Sequence, residues 1–318
     1  MKRLLHAREF STVMILLLEV AFFTWYLWPT SGGHPFLNVG NSLLILKYSS
    51  IYGIAAIGAA MVIITGGIDL SPGAVIGLTS VVTGYFFVQT EWSLFASAAM
   101  GLCVGLSAGL ASSWLIVGMK LPPFIATLGV MGIWRGAGYI ITEARFYDLS
   151  AKLPRNWMVG GISIDWVPPI VMVALAGVFQ VVMKRFQWGR AVFAVGGNET
   201  AALFSGVRVG LIKTSVYVAA GLLASVSGVV LAIVQGQGKA DLANGYELDI
   251  IASAVVGGTS LTGGRGSVAG AVLGALIFGI LRNALPQIPG ATFYDRVIVG
   301  LAVIVIVVMD QVLVRRRA

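Results

Sequence analysis

Charged residues are scarce in this 318-residue sequence, and their scarcity decides its class. Asp, Glu, Lys and Arg make up 11% of the chain, hydrophobic residues make up 58%, and the mean hydropathy is +0.91. Soluble domains carry about 25% charged and about 45–50% apolar residues. A water-soluble globule is therefore excluded, and the apolar sequence suffices for many membrane spans of about 20 residues.

Cysteine and histidine are nearly absent. The sequence has one cysteine, Cys103, inside an apolar run, and two histidines, His6 and His34. One cysteine forms neither an intrachain disulfide nor a cysteine-based metal site. Redox and zinc chemistry are therefore excluded, and no metal site is expected.

Nucleotide-binding motifs are missing as well. No G-x-x-x-x-G-K-[ST] sequence occurs, and the Gly-Lys pair at 238–239 is followed by Ala240. Gly264, Gly266 and Ala269 match G-x-G-x-x-A, but that fingerprint needs a preceding strand, and here it opens an apolar helix. We expect no cofactor to be bound by this chain.

The sequence does contain a series of apolar runs bounded by Gly, Pro and charged residues. They predict an all-α fold, a polytopic membrane protein of about ten transmembrane helices that form one transmembrane domain over 1–318. The eighth run is too short to cross alone, so a broken or re-entrant segment is expected there. The predicted spans are 11–29, 43–64, 72–88, 93–118, 123–142, 166–183, 213–234, 248–262, 267–285 and 295–313.

The first run begins like a signal peptide, with basic residues before an apolar stretch. Glu19 interrupts that stretch, and no A-x-A cleavage site follows it. An uncleaved first helix is therefore the better interpretation.

Membrane topology explains the net charge of +8. The basic residues form no stripe with interleaved aromatics, so nucleic acid is not an expected partner. With a cytoplasmic N-terminus, the spans place thirteen cations and four acids inside but seven cations and eight acids outside, in agreement with the positive-inside rule. Both termini are therefore predicted to be cytoplasmic. The outer set includes Lys47, Glu247, Asp249 and Arg282.

Many of the 41 glycines recur at i, i+4. In lipid, small residues at this spacing let helix backbones approach closely. We predict such contacts for the fourth, fifth and ninth spans. The glycines concerned are Gly101, Gly105 and Gly109, then Gly132 and Gly136, and finally Gly266, Gly270 and Gly274.

Two segments in opposite halves of the chain resemble each other, 62–78 (VIITGGIDLSPGAVIGL) and 254–275 (AVVGGTSLTGGRGSVAGAVLGA). Paired interruptions of this kind indicate a pathway or gate, because unwound backbone at depth exposes N–H and C=O groups to a polar substrate. Two similar tight turns at the cytoplasmic surface are the alternative. The candidate residues are Gly66, Gly67, Asp69, Ser71, Gly257, Gly258, Gly263 and Gly264.

Ionisable residues within spans form a second group of candidates. Glu19 and Arg135 lie within spans, and Lys47 lies near the start of one. A charge at the membrane centre costs at least about 2.5–3.5 kcal/mol, so it usually faces the bundle interior. Arg135 is therefore a pathway candidate, and three roles are open to it: pairing with Glu19, capping a broken helix, or hydrogen-bonding a passing hydroxyl.

A hydrophilic connection at 184–212 faces inward in the predicted topology. Its centre has a short helix-like sequence. It is either a docking element for another protein or an ordinary solvated hairpin.

Four strings resemble the ABC-type permeases for ribose, xylose, galactose and related sugars. The resemblance implies a multi-pass permease of the bacterial inner (cytoplasmic) membrane. It also implies three kinds of partner: ATP-binding subunits, a periplasmic sugar-binding protein, and a second permease copy or paralogue in a dimer. The strings are ITGGIDLSPG (64–73), LPPFIATLGVMGIWRG (121–136), GRAVFAVGGNETAALFSGV (189–207) and VVGGTSLTGGRGSVAGAVLGALIFGIL (255–281).

The resemblance also assigns the inward loop a role as a coupling helix that docks on the ATPase. ETAALFSG resembles an E-A-A-x-x-x-G element, but Glu199 precedes Gly206 by seven residues where that element has six. The docking role therefore applies to the segment rather than to Glu199 itself. The segment's residues are Asn198, Glu199, Ala201, Ala202 and Gly206.

The implied function is ATP-driven, binding-protein-dependent import of a monosaccharide, a pentose or a hexose. The chain would be a transport subunit and not an enzyme, with ATP hydrolysed by a separate subunit. The alternative is an ion-coupled secondary transporter of a small polar solute, for which Glu19 is the acid well inside a span. Side chains that a sugar could contact in the spans are Trp114, Trp134, Tyr139, Tyr217, Thr65, Thr127 and Asn283.

Overall fold

The computed structural model describes residues 2–28, 36–143, 145–153, 157–159 and 161–294, together with 297–298, 300–301 and 304. Helices dominate these residues, as predicted for an all-α fold. In chain order they are α1 (Lys2–Leu27), α2 (Val39–Ile64), α3 (Pro72–Val88), α4 (Leu94–Ser113), α5 (Pro123–Thr142), α6 (Val167–Arg185), α7 (Gln187–Gly197), α8 (Glu199–Phe204), α9 (Val209–Gln235), α10 (Tyr246–Val256) and α11 (Val268–Ala284).

Shorter elements connect the helices. Helix α4 continues as a π-helical turn, Trp114–Gly118. Very short strands form two antiparallel pairs, the first strand with the fourth and the second with the third. The strands are β1 (Tyr147–Asp148), β2 (Met158–Val159), β3 (Ile162–Ser163) and β4 (Gln237–Gly238), and the 3-10 turns are Ile164–Trp166, Leu285–Gln287 and Ala291–Tyr294.

Local hydrogen bonds and an ion pair to α2 are among the contacts that hold the connection between α5 and α6. The hydroxyl and then the amide of Ser150 donate to Asp148 Oδ1, at 2.5 and 2.9 Å, and these bonds lower the pKa of Asp148 below its usual value. Lys47 of α2 reaches Asp165 Oδ1 at 2.6 Å. Lys47 is therefore a helix residue that ties α2 to this connection.

Six helical stretches among the described residues are long and apolar enough to cross a membrane, so the predicted ten are not confirmed. The predicted eighth span is α10, whose 11 residues measure about 16 Å, as expected of a broken segment. The predicted span 295–313 lies almost wholly outside the described residues. The six are Val39–Ile64, Leu94–Gly118, Pro123–Thr142, Ile164–Arg185, Val209–Gln235 and Val268–Gln287, and the shorter apolar helices are Ser11–Leu27 and Pro72–Val88.

Helices α2 and α9 form the centre of the bundle. Every residue of α2 from Ser49 to Ile64 is buried, because this stretch is apolar on all sides and therefore needs neighbours all round. Helix α2 packs against α9, α10 and α11, and α9 packs against α3 and α4.

Glycines bring α4 and α9 into backbone contact. A Cβ on Gly109 would lie 2.6 Å from the carbonyl oxygen of Tyr217, and a Cβ on Gly105 would overlap the carbonyl oxygen of Gly221. These positions leave no space for a side chain, so the predicted close approach of the fourth span is confirmed.

The other two glycine stripes behave differently. Gly270 and Gly274 of α11 abut backbone at the end of α10, which confirms the contact predicted for the ninth span, whereas Gly266 precedes α11. The prediction for the fifth span is wrong. No described atom outside the local backbone lies within 4 Å of a Cβ placed on Gly132 or Gly136, because this stripe lies on an open face of α5.

Besides Lys47 of α2, three residues that the charge sorting assigned to outer loops lie in helices. Glu247 and Asp249 belong to α10 and Arg282 belongs to α11. Asp249 is fully buried and accepts from Arg282 at 2.7 Å. An ion pair across the bundle lowers the cost of burying both charges, which is why these residues are found in helices rather than in loops.

Two connections leave the helical conformation beside α3. The 65–71 segment leads from α2 into α3, and Thr127 of α5 holds it: its hydroxyl accepts from the Leu70 amide and lies 3.2 Å from the Ile68 carbonyl oxygen. The 236–245 segment leads from α9 into α10. These two non-helical segments limit α3 to 17 residues and α10 to 11 residues. Hydropathy does not show such interruptions, because it counts apolar residues whether or not they are helical.

The 236–245 segment runs along the glycines of α3. A Cβ on Gly77 would lie 2.6 Å from the Ala240 carbonyl oxygen, and one on Gly73 would lie 2.8 Å from the Ala243 carbonyl oxygen. From Gly77 to Gly73 the segment therefore follows α3 towards its first turn, and α10 begins there.

Candidate functional site

Glycines from three parts of the chain meet where the turn after α2, the end of α7 and the turn after α10 come together. The amide of Gly264 donates to the carbonyl oxygen of Ile64 at 2.8 Å. A Cβ on Gly263 would lie 2.8 Å from the Gly196 carbonyl oxygen and 3.2 Å from the Gly66 amide nitrogen. We call this contact the glycine junction, and it consists of Gly66, Gly196, Gly197, Gly263 and Gly264.

Backbone conformation adds a second requirement for glycine at the junction. Gly263 and Gly264 have φ of +79° and +70°, and a residue with a Cβ loses roughly 1–2 kcal/mol in the left-handed region. Both space and conformation therefore restrict this turn to glycine.

The two interrupted segments predicted from the sequence are thus in direct contact. Gly66, Gly263 and Gly264 lie in the junction, and Gly67 follows it. Gly257 ends α10 and abuts the Gly270 backbone of α11. Gly257 and its neighbour Gly258 therefore shape the turn after α10.

Asp69 and Ser71 form a local polar turn before α3. Both are buried, with 6% and 3% of their surface exposed. The amide and the hydroxyl of Ser71 donate to Asp69 Oδ1 at 2.8 and 2.7 Å. Their structural role is to satisfy each other where the chain turns into α3, which starts with Pro72 in its first turn, as proline allows.

A polar cavity of about 290 Å³ lies beside the junction. Helix α9 contributes Lys213 and Tyr217 to its wall. Tyr217 is 1% exposed, and its hydroxyl has no hydrogen-bond partner among the described residues. The other lining residues are Thr65, Gly66, Gly67, Pro123, Val195, Gly196, Gly197, Asn198 and Glu199.

The predicted docking segment forms the short helix α8. The Asn198 side chain accepts from the Ala201 amide at 2.9 Å and caps its start, as asparagine commonly does. Ala202 is buried, and Gly206 follows the helix with φ +82°. Glu199 accepts from Lys213 of α9 at 2.6 Å. The helix is therefore anchored on one side and open on the other.

The open side of α8 is apolar. Leu203 is 59% exposed and Phe204 is 86% exposed. The resemblance did not identify these two residues, although large apolar side chains inside a hydrophilic loop were a visible signal. These two side chains leave an exposed apolar surface on α8.

Helix α7, which was not predicted as a separate element, adds a groove next to α8. Its Trp188 indole donates to Ser215 of α9 at 2.7 Å. The groove is an open depression of about 520 Å³ that contains Arg190 and Arg208. Together, α7 and α8 present a basic and apolar surface on one side of the bundle.

Arg135 lies away from the junction, in a polar cluster of its own. Its Nη1 donates to Asn244 Oδ1, and its Nη2 lies 3.4 Å from Glu247 Oε2. Of the roles left open for Arg135, it does pair within the bundle, but its partners come from the 236–245 segment and α10 and not from Glu19. Within the described residues, Arg135 Nε has no hydrogen-bond partner. Asn244 and Glu247 were not predicted as site residues, because they are distant from Arg135 in the chain and were placed outside the membrane.

Comparison with known proteins identifies the family. Residues 41–308 match the family described as branched-chain amino acid transport system / permease component. A ribose import permease of Bacillus subtilis is 36% identical over 278 residues, which is 87% of this chain and 86% of that protein. A fructose import permease of Rhizobium meliloti is 33% identical over 288 residues, 88% of this chain and 80% of that protein.

A third relative carries no substrate in its name. A probable ABC transporter permease of Escherichia coli is 34% identical over 281 residues, 88% of this chain and 84% of that protein. No solved structure matches the chain. With the family matched over 41–308 and relatives above 30% identity over most of both chains, the chain belongs to the branched-chain amino acid transport system / permease component family of ABC transporter permeases.

Proposed function

We propose that this chain is the transmembrane permease subunit of an ATP-driven, binding-protein-dependent importer of a monosaccharide, a pentose or a hexose. Relatives that are named ribose, fructose and allose import permeases support sugar as the substrate class. The family's description names branched-chain amino acids, but those three names all refer to sugars. The chain moves the solute and leaves ATP hydrolysis to a separate subunit.

The observation that carries the proposal is that the start of α8 and the glycine junction line one cavity. Asn198 and Glu199 line the same cavity as Gly66 and Gly67. Lys213 pairs with Glu199, and Tyr217, four residues further along α9 and therefore on the same face, abuts Gly67. A displacement of α8 would therefore act on the 65–71 segment through Lys213 and Tyr217.

Three kinds of partner follow from this function. ATP-binding subunits dock on α8, where Leu203 and Phe204 supply exposed apolar contacts. A periplasmic sugar-binding protein delivers the solute to the opposite side, and a second permease copy or paralogue completes the pathway. The importer lies in the bacterial inner membrane, and the predicted topology places α8 and both termini in the cytoplasm.

Transport follows from a change in the relative stability of two states. ATP binding moves the docked α8 helices, the junction transmits the movement to α3 and α10, and the pathway changes the side to which it opens. The ATP-binding subunits can shift this equilibrium only if they interact differently with the two states. The exposed face of α8 supplies one such interaction.

The docking role is tested by Phe204→Asp, with Met158→Asp as the matched control. Met158 lies in the connection between α5 and α6 and is 56% exposed, so both changes place a charge on an exposed apolar residue. We expect Phe204→Asp to lose co-purification with the ATP-binding subunit and ATP-dependent sugar uptake, because a carboxylate is desolvated at the interface. Met158→Asp should retain both.

Full uptake and ATPase binding in Phe204→Asp would refute docking through α8. The ion-coupled alternative makes the opposite prediction from the importer when the chain is reconstituted alone in liposomes. Sugar uptake driven by a proton or sodium gradient and abolished by Glu19→Gln would support the secondary transporter. Uptake that requires ATP, the ATP-binding subunit and the binding protein supports the importer.

A further inference from the structure

The polar cluster of Arg135, Asn244 and Glu247 lies near the middle of the bundle's thickness. Arg135 is 12 residues after the start of α5 at Pro123, which is about 18 Å along a helix of about 30 Å. Glu247 is in the first turn of α10. A cluster at this height lies within the hydrocarbon core, whose thickness is also about 30 Å.

Backbone that is not helical surrounds the cluster on two sides. The 236–245 segment ends at Asn244 and its neighbour, and the 65–71 segment leads into the first turn of α3. A Cβ on Gly73 in that turn would overlap the Glu247 carboxylate and lie 3.2 Å from Arg135 Nη2. Non-helical backbone at membrane depth is tolerated only where protein or a water-filled cavity covers it.

The cluster is accessible from one side. Asn244 is exposed, while the side chains of Arg135 and Glu247 retain 18% and 13% of their exposure. Gly132 and Gly136 flank Arg135 on the open face of α5. Lipid tails cannot satisfy an exposed amide, so this surface faces water or protein and not lipid.

We propose that Arg135, Asn244 and Glu247 form the site at which the sugar's hydroxyl groups are held on the way through the membrane. This inference rests on the proposed function and names three residues that contact the substrate. A sugar hydroxyl is both a donor and an acceptor, and the cluster offers guanidinium donors, a carboxylate acceptor and an amide that is both.

Charge and neighbouring side chains fit the same class of solute. The ion pair of Arg135 and Glu247 is neutral overall, so the site suits an uncharged polyol better than an ion. Tyr139 is 42% exposed and lies four residues after Arg135, on the same face of α5. It supplies the flat apolar surface on which a sugar ring packs.

A role as a simple clamp between α5 and α10 is the alternative. A clamp needs neither an exposed member nor an unpartnered donor. Asn244 is exposed, and Arg135 Nε has no hydrogen-bond partner among the described residues. The experiment therefore measures accessibility and protection by sugar, which a clamp does not affect.

The test is cysteine labelling, for which the chain is suited because Cys103 is its single cysteine. Cys103→Ser gives a cysteine-free permease chain, into which Asn244→Cys or the control Val173→Cys is introduced, and labelling is measured on this chain. Val173 is 64% exposed on α6, within an apolar span. The assembled importer is treated in membrane vesicles with a charged, membrane-impermeant methanethiosulfonate reagent. Ribose, fructose and allose are the protecting probes, and leucine is the control solute.

We expect Asn244→Cys to react at least about tenfold faster than Val173→Cys, because charged reagents are excluded from lipid. Arg135 and Glu247 are intact in this variant and still bind the sugar, so the sugar that the importer takes up should slow this reaction, and leucine should not. Adding Glu247→Gln should leave the labelling and remove the protection. The same change without the cysteine should lower uptake by about tenfold or more, since a hydrogen bond to a charged group is worth about 1.5–3 kcal/mol.

Labelling of Asn244→Cys that no transported sugar slows would overturn the site, as would protection that survives Glu247→Gln. An importer that takes up none of the three sugars but does take up leucine would instead refute the proposed function. The two failures are therefore distinguishable.

Discussion

The glycine junction offers a matched pair of substitutions at the end of α7. A Cβ on Gly196 would overlap the carbonyl oxygen of Ile64 and lie 2.7 Å from the Gly264 amide nitrogen. No described atom outside the local backbone lies within 4 Å of a Cβ on the next residue, Gly197. Alanine is thus the same chemical change at adjacent positions, with opposite steric consequences.

The expected magnitudes follow from these contacts. Gly196→Ala forces α7 away from the turn after α2, and overpacking of this kind costs about 1–3 kcal/mol. Gly197→Ala meets no obstruction and stabilises a helix by at most about 0.5–1 kcal/mol. The two variants should therefore differ in free energy of unfolding by roughly 1–4 kcal/mol.

The assay is the apparent unfolding temperature of the purified chain in detergent. At about 2–4 °C per kcal/mol, Gly196→Ala should unfold roughly 2–12 °C below the parent chain, and Gly197→Ala should match or slightly exceed it. In the assembled importer, Gly196→Ala should keep ATPase binding at α8 but transport less sugar per ATP. Equal unfolding temperatures and equal uptake for the two variants would refute the junction as a close backbone contact.

Two ion pairs of different burial provide the remaining predictions. Asp249→Ala leaves Arg282 without its carboxylate inside the bundle, so folded yield should collapse with a loss of about 3–5 kcal/mol; a normal yield by fluorescence-detected size exclusion would contradict this. Glu199→Gln removes a partly exposed pair with Lys213, so stability should change by about 1 kcal/mol or less while ATP-coupled uptake falls. Exchanging the two charges in the double variant Glu199→Lys, Lys213→Glu should restore uptake. If this double variant is as inactive as the single variant, the ion pair does not couple α8 to α9.

Helix starts marked by proline could be predicted from the sequence. The predicted bounds 72–88 and 123–142 are those of α3 and α5. Proline fixes φ and lacks an N–H that the first turn does not need, so Pro72 and Pro123 locate the first turn where hydropathy alone leaves several residues of uncertainty.

Contacts across the bundle could not be predicted. Arg135 and Glu247 are 112 positions apart, and nothing local distinguishes an acid that pairs within the bundle from an acid in a loop. For the same reason the open stripe of Gly132 and Gly136 looked like the buried stripe of Gly105 and its neighbours. Spacing shows that glycines share a face, whereas the packing of the other helices decides which face is covered.

The segment that we propose as the docking element could be predicted in part. The resemblance located the segment that forms α8, because a short sequence element carries that information. It did not locate the anchor, since the ion pair between Glu199 and Lys213 depends on how α8 folds against α9. The sequence thus indicates where α8 lies, and only the fold identifies Lys213 as the residue that anchors it.

The first turn of α3 connects the glycine junction to the polar cluster. The 65–71 segment leaves the junction and enters this turn directly, and a Cβ on Gly73 would overlap Glu247 of the cluster. Thr127 binds the 65–71 segment at two places. The segment is therefore tied to α5 and cannot absorb a displacement as an unattached loop would. We infer that a movement of α8 reaches the cluster through the backbone of this segment. If α3 began at the membrane surface, its first turn would not contact Glu247 of the cluster. The interruption between α2 and α3 therefore places that turn where a movement of the segment can act on the cluster.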